Sequence, residues 1–286
     1  QALDLIARVV LEPGDRVAVE EPGYPPARRL FAGHGARVVP VPVDDQGLDV
    51  RALPGDARLV YVTPSHQFPL GVRMSPARRA ALLDWAAARD AVVVEDDYDT
   101  EFRFSARPLD PLQTLDRAGK VVYVGTFSKT LLPMLRLGFL VAPASLRPAL
   151  LAARQLTDWH GDHTTQAALA RFIDSGELAR HIRKATRVYA ERRDLIDAAL
   201  RSDLADWLDP VPSTAGLHLC ARLRPETGVD LPEVVARAAE AGVTVREIAG
   251  YRAGPPGPTG LVLGYGAVGT ADVPDGLRLL ARSFRG

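Results

Sequence analysis

Residues 120–141 read KVVYVGTFSKTLLPMLRLGFLV. The opening run is continuously apolar and rich in valine, as a strand buried on both faces requires. Gly125 closes it, and Thr126, Phe127, Ser128 and Lys129 follow at once. A second extended run, 137–141, comes after a loop containing Pro133. Ligands in open α/β sheets gather at the carboxyl ends of strands. A lysine placed there can join an aldehyde while nearby hydroxyls and loop amides hold a phosphate. A surface lysine in a Ser/Thr loop is the other reading of this stretch. Arg136 stands in an apolar run and needs an anionic partner if it points inward. A bidentate phosphate contact would supply one; an exposed loop arginine is again the alternative.

Outward from this stretch the same rhythm repeats. Residues 91–95 (AVVVE) run into Asp96, Asp97, Tyr98 and Asp99. So many carboxylates in a row cannot all be buried alone, so at least one is expected to meet a positive group. A protonated pyridine nitrogen is such a group, and Tyr98 could donate to a ring oxygen. A solvated acidic loop is the alternative, and with no His or Cys nearby a metal reading is weak. Earlier strands are expected at 16–20 (RVAVE) and 59–63 (LVYVT), with an edge-like segment at 37–43. Helices are expected at 26–34 and 75–89, the latter with Ser75 as N-cap and Pro76 at its first position. Strands alternating with helices predict a mostly parallel sheet covered on both faces. Tyr24 follows one strand end and could stack on a flat cofactor or pack in its own turn. His66 follows another and reads as a structural hydrogen-bonding residue. The four strand ends bring their unusual residues to one edge.

The second half changes character. Residues 146–200 are helix-forming with breaks at 158–162 and 176. Strands at 217–223, 243–247 and 261–265 and a helix at 232–241 then predict a smaller α+β unit. We expect a large domain over 1–178, its beginning missing because Gln1 already lies in a helical pattern, and a small C-terminal domain over 179–286. Formal net charge is zero, so the chain has no basic field for nucleic acid. DNA contact is expected only through a domain missing here. No run approaches the ~20 apolar residues of a membrane span. One cysteine and six scattered histidines give no disulfide and no metal-ligand spacing. A cytoplasmic, metal-free protein is expected. Lys129 is one of only three lysines, the other two being Lys120 and Lys184.

Five phrases carry a family resemblance: EEPGYP (20–25), TPSHQFPLG (63–71), VEDDYDTEFRF (94–104), YVGTFSKTLLPMLRLGF (123–139) and AGLHL (215–219). They resemble the fold-type-I pyridoxal 5′-phosphate (PLP) enzymes, the aspartate aminotransferase superfamily. Closer still is the likeness to the aminotransferase-like domain of MocR-type (GntR-family) transcription regulators. The resemblance implies PLP as cofactor, with Lys129 as its Schiff-base lysine and Asp96 on the pyridine nitrogen. It implies Tyr98 at the ring oxygen, Tyr24 stacked on the ring, and Thr126, Ser128 and Arg136 on the phosphate. It further implies a homodimer, and a phosphate loop ending at Gln1.

Two departures bear on function. Phe68 stands where many aminotransferases have an asparagine. Val262 stands where an Arg-Leu-x-Phe strand would bring a substrate-carboxylate arginine, for which Arg252 is a possible substitute. The expected function is effector sensing, with a small amine, amino acid or vitamer as effector, in a regulator whose DNA-binding domain lies outside this chain. The alternative is a free-standing class I/II aminotransferase acting on an amino acid or amine. Any transaminase activity is expected to be weak.

Overall fold

A computed structural model describes residues 1–99, 101–104, 110–255 and 257–285. The first part runs α1 (Ala2–Val10), β1 (Arg16–Glu21), α2 (Pro25–Gly33), β2 (Arg37–Asp44), β3 (Gly47–Leu48), β4 (Ala57–Val62), α3 (Pro76–Arg89) and β5 (Val92–Asp97). It continues with α4 (Leu112–Leu115), β6 (Val121–Thr126), β7 (Gly138–Val141), α5 (Arg147–Asp158) and α6 (His163–Asp174). The strands form one sheet in the order β3-β2-β1-β4-β5-β6-β7. Its centre, β2-β1-β4-β5-β6, is parallel, while β3 and β7 close the two edges antiparallel. This is the mostly parallel α/β sheet that the strand–helix rhythm predicts.

The pleat explains the apolar runs. Val17, Val19, Leu59, Tyr61, Val92, Val94, Val122 and Val124 pack on one face with α1, α2 and Leu150. Their neighbours Ala18, Val60, Val62, Val93 and Val121 pack on the other with Leu82, Trp85 and Ala86 of α3. Both faces are covered, so no polar residue marks the alternation. Ser75 caps α3 as expected, its hydroxyl accepting from the Arg78 amide at 3.3 Å. Strand β2 meets β3 only through Val43 and Asp44, so Pro40 and Pro42 fall where most of one side has no strand partner.

Helix α7 (Glu177–Leu200) leads into the second part, and the boundary proposed at 178/179 falls in its first turn. There follow β8 (Leu208–Pro210), β9 (His218–Leu223), α8 (Leu231–Glu240), β10 (Arg246–Glu247), β11 (Gly260–Gly264) and α9 (Val273–Arg285). The second sheet is antiparallel in the order β10-β11-β9-β8, with its own core built from α7, α8 and α9. The strand expected over 243–247 shortens to two residues, and β8 was too short to carry a pattern. A smaller cluster joins the parts, setting Leu70 and Val72 against Val211, Cys220, Ile248 and Val262. No helix among the described residues is long and apolar enough to cross a membrane.

Candidate functional site

The carboxyl ends of β1, β4, β5 and β6 open into one large cleft of about 1950 Å³. Tyr24, Asp96, Tyr98, Thr126, Ser128, Lys129 and Arg136 all line it, so all seven residues singled out by sequence come together. Gln1, Tyr61, Phe68, His218, Arg246, Tyr251 and Val262 also line it. The volume exceeds the ~300–1,000 Å³ usual for a single small-molecule pocket.

The acidic strand end sorts itself by partners. Three of the four carboxylates are buried after all, each with a specific neighbour. Glu95 accepts the Leu112 and Gln113 amides at 2.9 and 3.0 Å. Asp97 accepts the Tyr123 hydroxyl at 2.8 Å. Asp99 bonds His66 Nδ1 at 3.0 Å and accepts the Leu217 amide at 3.2 Å. Asp96 faces the cleft, where the Tyr61 hydroxyl donates to it at 2.5 Å. Burial pushes the Asp96 carboxyl up to about 6 against that hydrogen bond, helped by the charges of Asp97 and Asp99. A cation against Asp96 would relieve this cost by favouring its ionised form.

The lysine loop is set by the contact of β6 with β7. Gly125 pairs with Phe139, and a Cβ on Gly125 would lie 2.5 Å from the Phe139 ring. A side chain at 125 would displace that ring, and the chain leaves the sheet into the loop one residue later. The Ser128 amide donates to Thr126 Oγ1 at 3.1 Å, folding the hydroxyl segment back on itself. Lys129 is exposed to the cleft, and its side chain has no hydrogen bond or ion pair among the described residues. Arg136 is exposed in a left-handed conformation, φ 51°, and its guanidinium donates to the Pro133 carbonyl at 3.4 Å. It has no carboxylate partner among the described residues, so of the two readings of this stretch the exposed loop arginine is the one seen, with its guanidinium free for an anion.

Aromatic rings form the opposite wall. Phe68 meets Tyr24, Tyr98, His218 and Tyr251 edge-on at 5.8, 5.9, 5.4 and 5.1 Å. Tyr24 is 40 % exposed and lines the cleft. The Tyr98 hydroxyl donates to the His66 carbonyl at 2.9 Å, so its proton already has an acceptor.

Behind this wall lies a network the sequence did not reveal. His66, Asp99 and His218 bring their ligand atoms within 4.8 Å of one another, all buried. Each atom set has protein partners: His66 also meets Ser213 Oγ at 3.1 Å, and His218 Nε2 donates to the Pro69 carbonyl at 3.0 Å. Burial lowers His218 to about 3, so it is neutral. Gly216 belongs to the same knot, since at φ 91° a Cβ would lie 2.0 Å from His66 Cε1. Residues so far apart in the chain leave no local signal of their meeting. Arg252, the substitute anchor considered from sequence, donates to the Pro258 carbonyl at 3.2 Å and is not among the described residues lining the cleft. Arg147, Arg154 and Arg246 do line it, besides Arg136.

Comparison with known proteins agrees with this architecture. The family model for aminotransferase class I and II matches residues 1–282. The probable rhizopine catabolism regulatory protein MocR of Rhizobium meliloti is 40% identical over 99% of the chain and 57% of its own length. Further relatives are HTH-type transcriptional regulators, and aromatic-amino-acid aminotransferase 1 of Thermococcus litoralis is 34% identical over 85% of the chain and 60% of its own length. The chain therefore spans a little over half the length of the curated relatives it matches. Among solved structures, kynurenine aminotransferase of Pyrococcus horikoshii, in complex with PMP, superposes with a TM-score of 0.89 at 32% identity, covering 100% of this chain and 72% of that one. The fold, the cleft and these matches agree: the chain belongs to the class I and II aminotransferase family, the PLP proteins of fold type I.

Proposed function

We propose that this chain is the effector-sensing domain of a MocR/GntR-type transcription regulator, and that Lys129 is the residue that holds its PLP. The observation that carries the site is the convergence of a partnerless Lys129, the Thr126 and Ser128 hydroxyls, Arg136 and a part-buried Asp96 in one cleft. That donor set fits the cofactor. Lys129 would hold it covalently, Thr126, Ser128 and Arg136 would take its phosphate, and Asp96 would serve as the counter-charge to its ring nitrogen. Tyr24 and Tyr98 would contact its ring. When bound, the group draws electrons from the carbon next to a substrate nitrogen.

The regulator reading is supported by the named regulators among the relatives and by the share of their length that the chain spans. DNA would be met by a segment outside this chain. A free-standing aminotransferase remains the second reading, supported by the enzyme relative and the solved neighbour. The full-length protein is expected to take up PLP with a visible absorption band and to trap it on borohydride reduction. Lys129→Ala is expected to abolish trapping. Covalent cofactor in that variant would place the lysine elsewhere and overturn the site.

A further inference from the structure

Tyr98 reaches the cleft with its hydroxyl already engaged. The hydroxyl lies 2.9 Å from the His66 carbonyl and 3.1 Å from His66 Nδ1. A phenol carries one proton and makes one donation. Burial, with the charges of Asp99 and Asp96, holds this hydroxyl well above its ordinary range, so the proton stays on.

Where that proton points follows from His66. Its Nδ1 lies 3.1 and 3.0 Å from the two Asp99 carboxylate oxygens. A carboxylate only accepts, so Nδ1 carries its hydrogen and cannot take another. On the far side Nε2 meets Ser213 Oγ at 3.1 Å, and the ring packs against His218 with centroids 4.6 Å apart. Turning the imidazole over would break these contacts together. The acceptor left for Tyr98 is the His66 carbonyl. His66 is 2 % exposed, and among the described residues no backbone amide donates to that carbonyl. A buried carbonyl deprived of its donor is destabilising. The Tyr98 proton is therefore held inward, and its oxygen keeps a lone pair for the cleft.

The neighbours of Tyr98 supply no substitute donor. Phe68, where many aminotransferases have an asparagine, offers only carbon, and its ring meets Tyr98 edge-on at 5.9 Å. His218 is neutral and gives its Nε2 hydrogen to the Pro69 carbonyl. The charges acting on Tyr98 are those of Asp99, Asp96, Glu20 and Asp97, all carboxylates. Lys129, whose charge is felt at His218, is the amine that the cofactor would take up.

We propose that Tyr98 meets the cofactor's ring oxygen as a hydrogen-bond acceptor, the reverse of the donor role expected from sequence, with the His66 carbonyl holding its proton. This inference rests on the cofactor reading at Lys129. A donor stabilises a charged oxygen, whereas an acceptor stabilises an oxygen that keeps its proton. With Tyr98 so turned, the proton shared by the ring oxygen and the Lys129 nitrogen is retained to higher pH.

The test loads the full-length protein with PLP, verifies loading by borohydride trapping, and titrates the visible absorption band from about pH 6 to about pH 10. In the unaltered protein the band is expected to hold its position to at least about pH 9. Tyr98→Phe removes the acceptor and is expected to lower the midpoint by about one pH unit, a roughly tenfold easier loss of the proton. A band that shifts below about pH 9 in the unaltered protein overturns the assignment. So does a midpoint that rises or stays in place in Tyr98→Phe, as it would for a tyrosine that donates. If that variant takes up no cofactor, the titration of the unaltered protein decides alone. An unaltered protein that traps no PLP overturns the cofactor reading and this assignment with it; the other outcomes leave that reading standing.

Discussion

Asp96 and Asp97 are adjacent in sequence and opposite in environment. The folded chain holds Asp96 up to about 6 through burial, and Glu20, buried beneath the cleft against Thr63 and Gln67, up to about 7 for the same first reason. Both carboxyls are raised, so the stability tied to them is complete below their unfolded values near 4 and is lost as pH rises through about 6 and 7. Asp96→Asn removes one of these groups. In cofactor-free protein it is expected to flatten the loss of melting temperature between pH 4 and pH 7, a gain on the order of 1–3 kcal/mol at neutral pH. The same substitution is expected to weaken cofactor retention, whereas Asp97→Asn, whose partner is Tyr123, is expected to weaken it less. Melting curves across pH, with and without PLP, check both. An unchanged pH slope in Asp96→Asn would show that the carboxyl is not strained in the folded chain.

The β6–β7 pair, joined by the loop 127–137, is the element that presents Lys129. Its geometry depends on Gly125 accommodating the Phe139 ring. Gly125→Ala inserts a methyl where 2.5 Å is available and is expected to cost about 1–3 kcal/mol by overpacking. Because the loop starts two residues on, PLP loading should fall in the same variant. Gly125→Ala with Phe139→Leu is expected to regain part of both, since the smaller side chain can move aside. Urea unfolding and cofactor absorbance read the two effects separately; loss of stability without loss of loading would uncouple the loop from the strand pair.

At the scale of the whole molecule, the cleft mouth exposes apolar side chains that a lone domain seldom leaves in water. Met134 is 78 % exposed, and Phe139, Val141, Leu151 and Ile173 line the same opening. We expect the full-length protein to be a homodimer with this face covered, and sedimentation at micromolar concentration to give twice the chain mass; a monomer there would refute it. Turnover belongs to this scale too. Val262 stands where an arginine would orient a substrate carboxylate, and its side chain supplies no cation there. Orientation accounts for several kcal/mol of a typical rate enhancement. Transamination of common amino acids is therefore expected to stay below about 1 s⁻¹, the low end of ordinary enzymes. Rapid conversion of the cofactor spectrum by any common amino acid would favour the enzyme reading. A sensor needs only a ligand that distinguishes two states of the protein.

The order of strands and helices was legible because each element carries its own local code: valine runs, the Ser75 cap, glycine and proline at the turns. The rule that ligands sit at strand ends brought Tyr24, the acidic run 95–99, Thr126 and Lys129 to one rim, and the family resemblance alone picked Asp96 out of that run. The run AVVVE, however, is buried on both faces and shows no alternation, so nothing local states which acid after it turns to the cleft. The pleat decides that. Asp96 shares the face of Val92 and Val94, while Glu95 and Asp97 turn away to Leu112, Gln113 and Tyr123. Ser213 and His218 reach the His66–Asp99 pair only because the second part packs against the first. Local chemistry determined the elements and most of the cofactor rim; long-range register and packing decided which acid and which histidines complete the cleft.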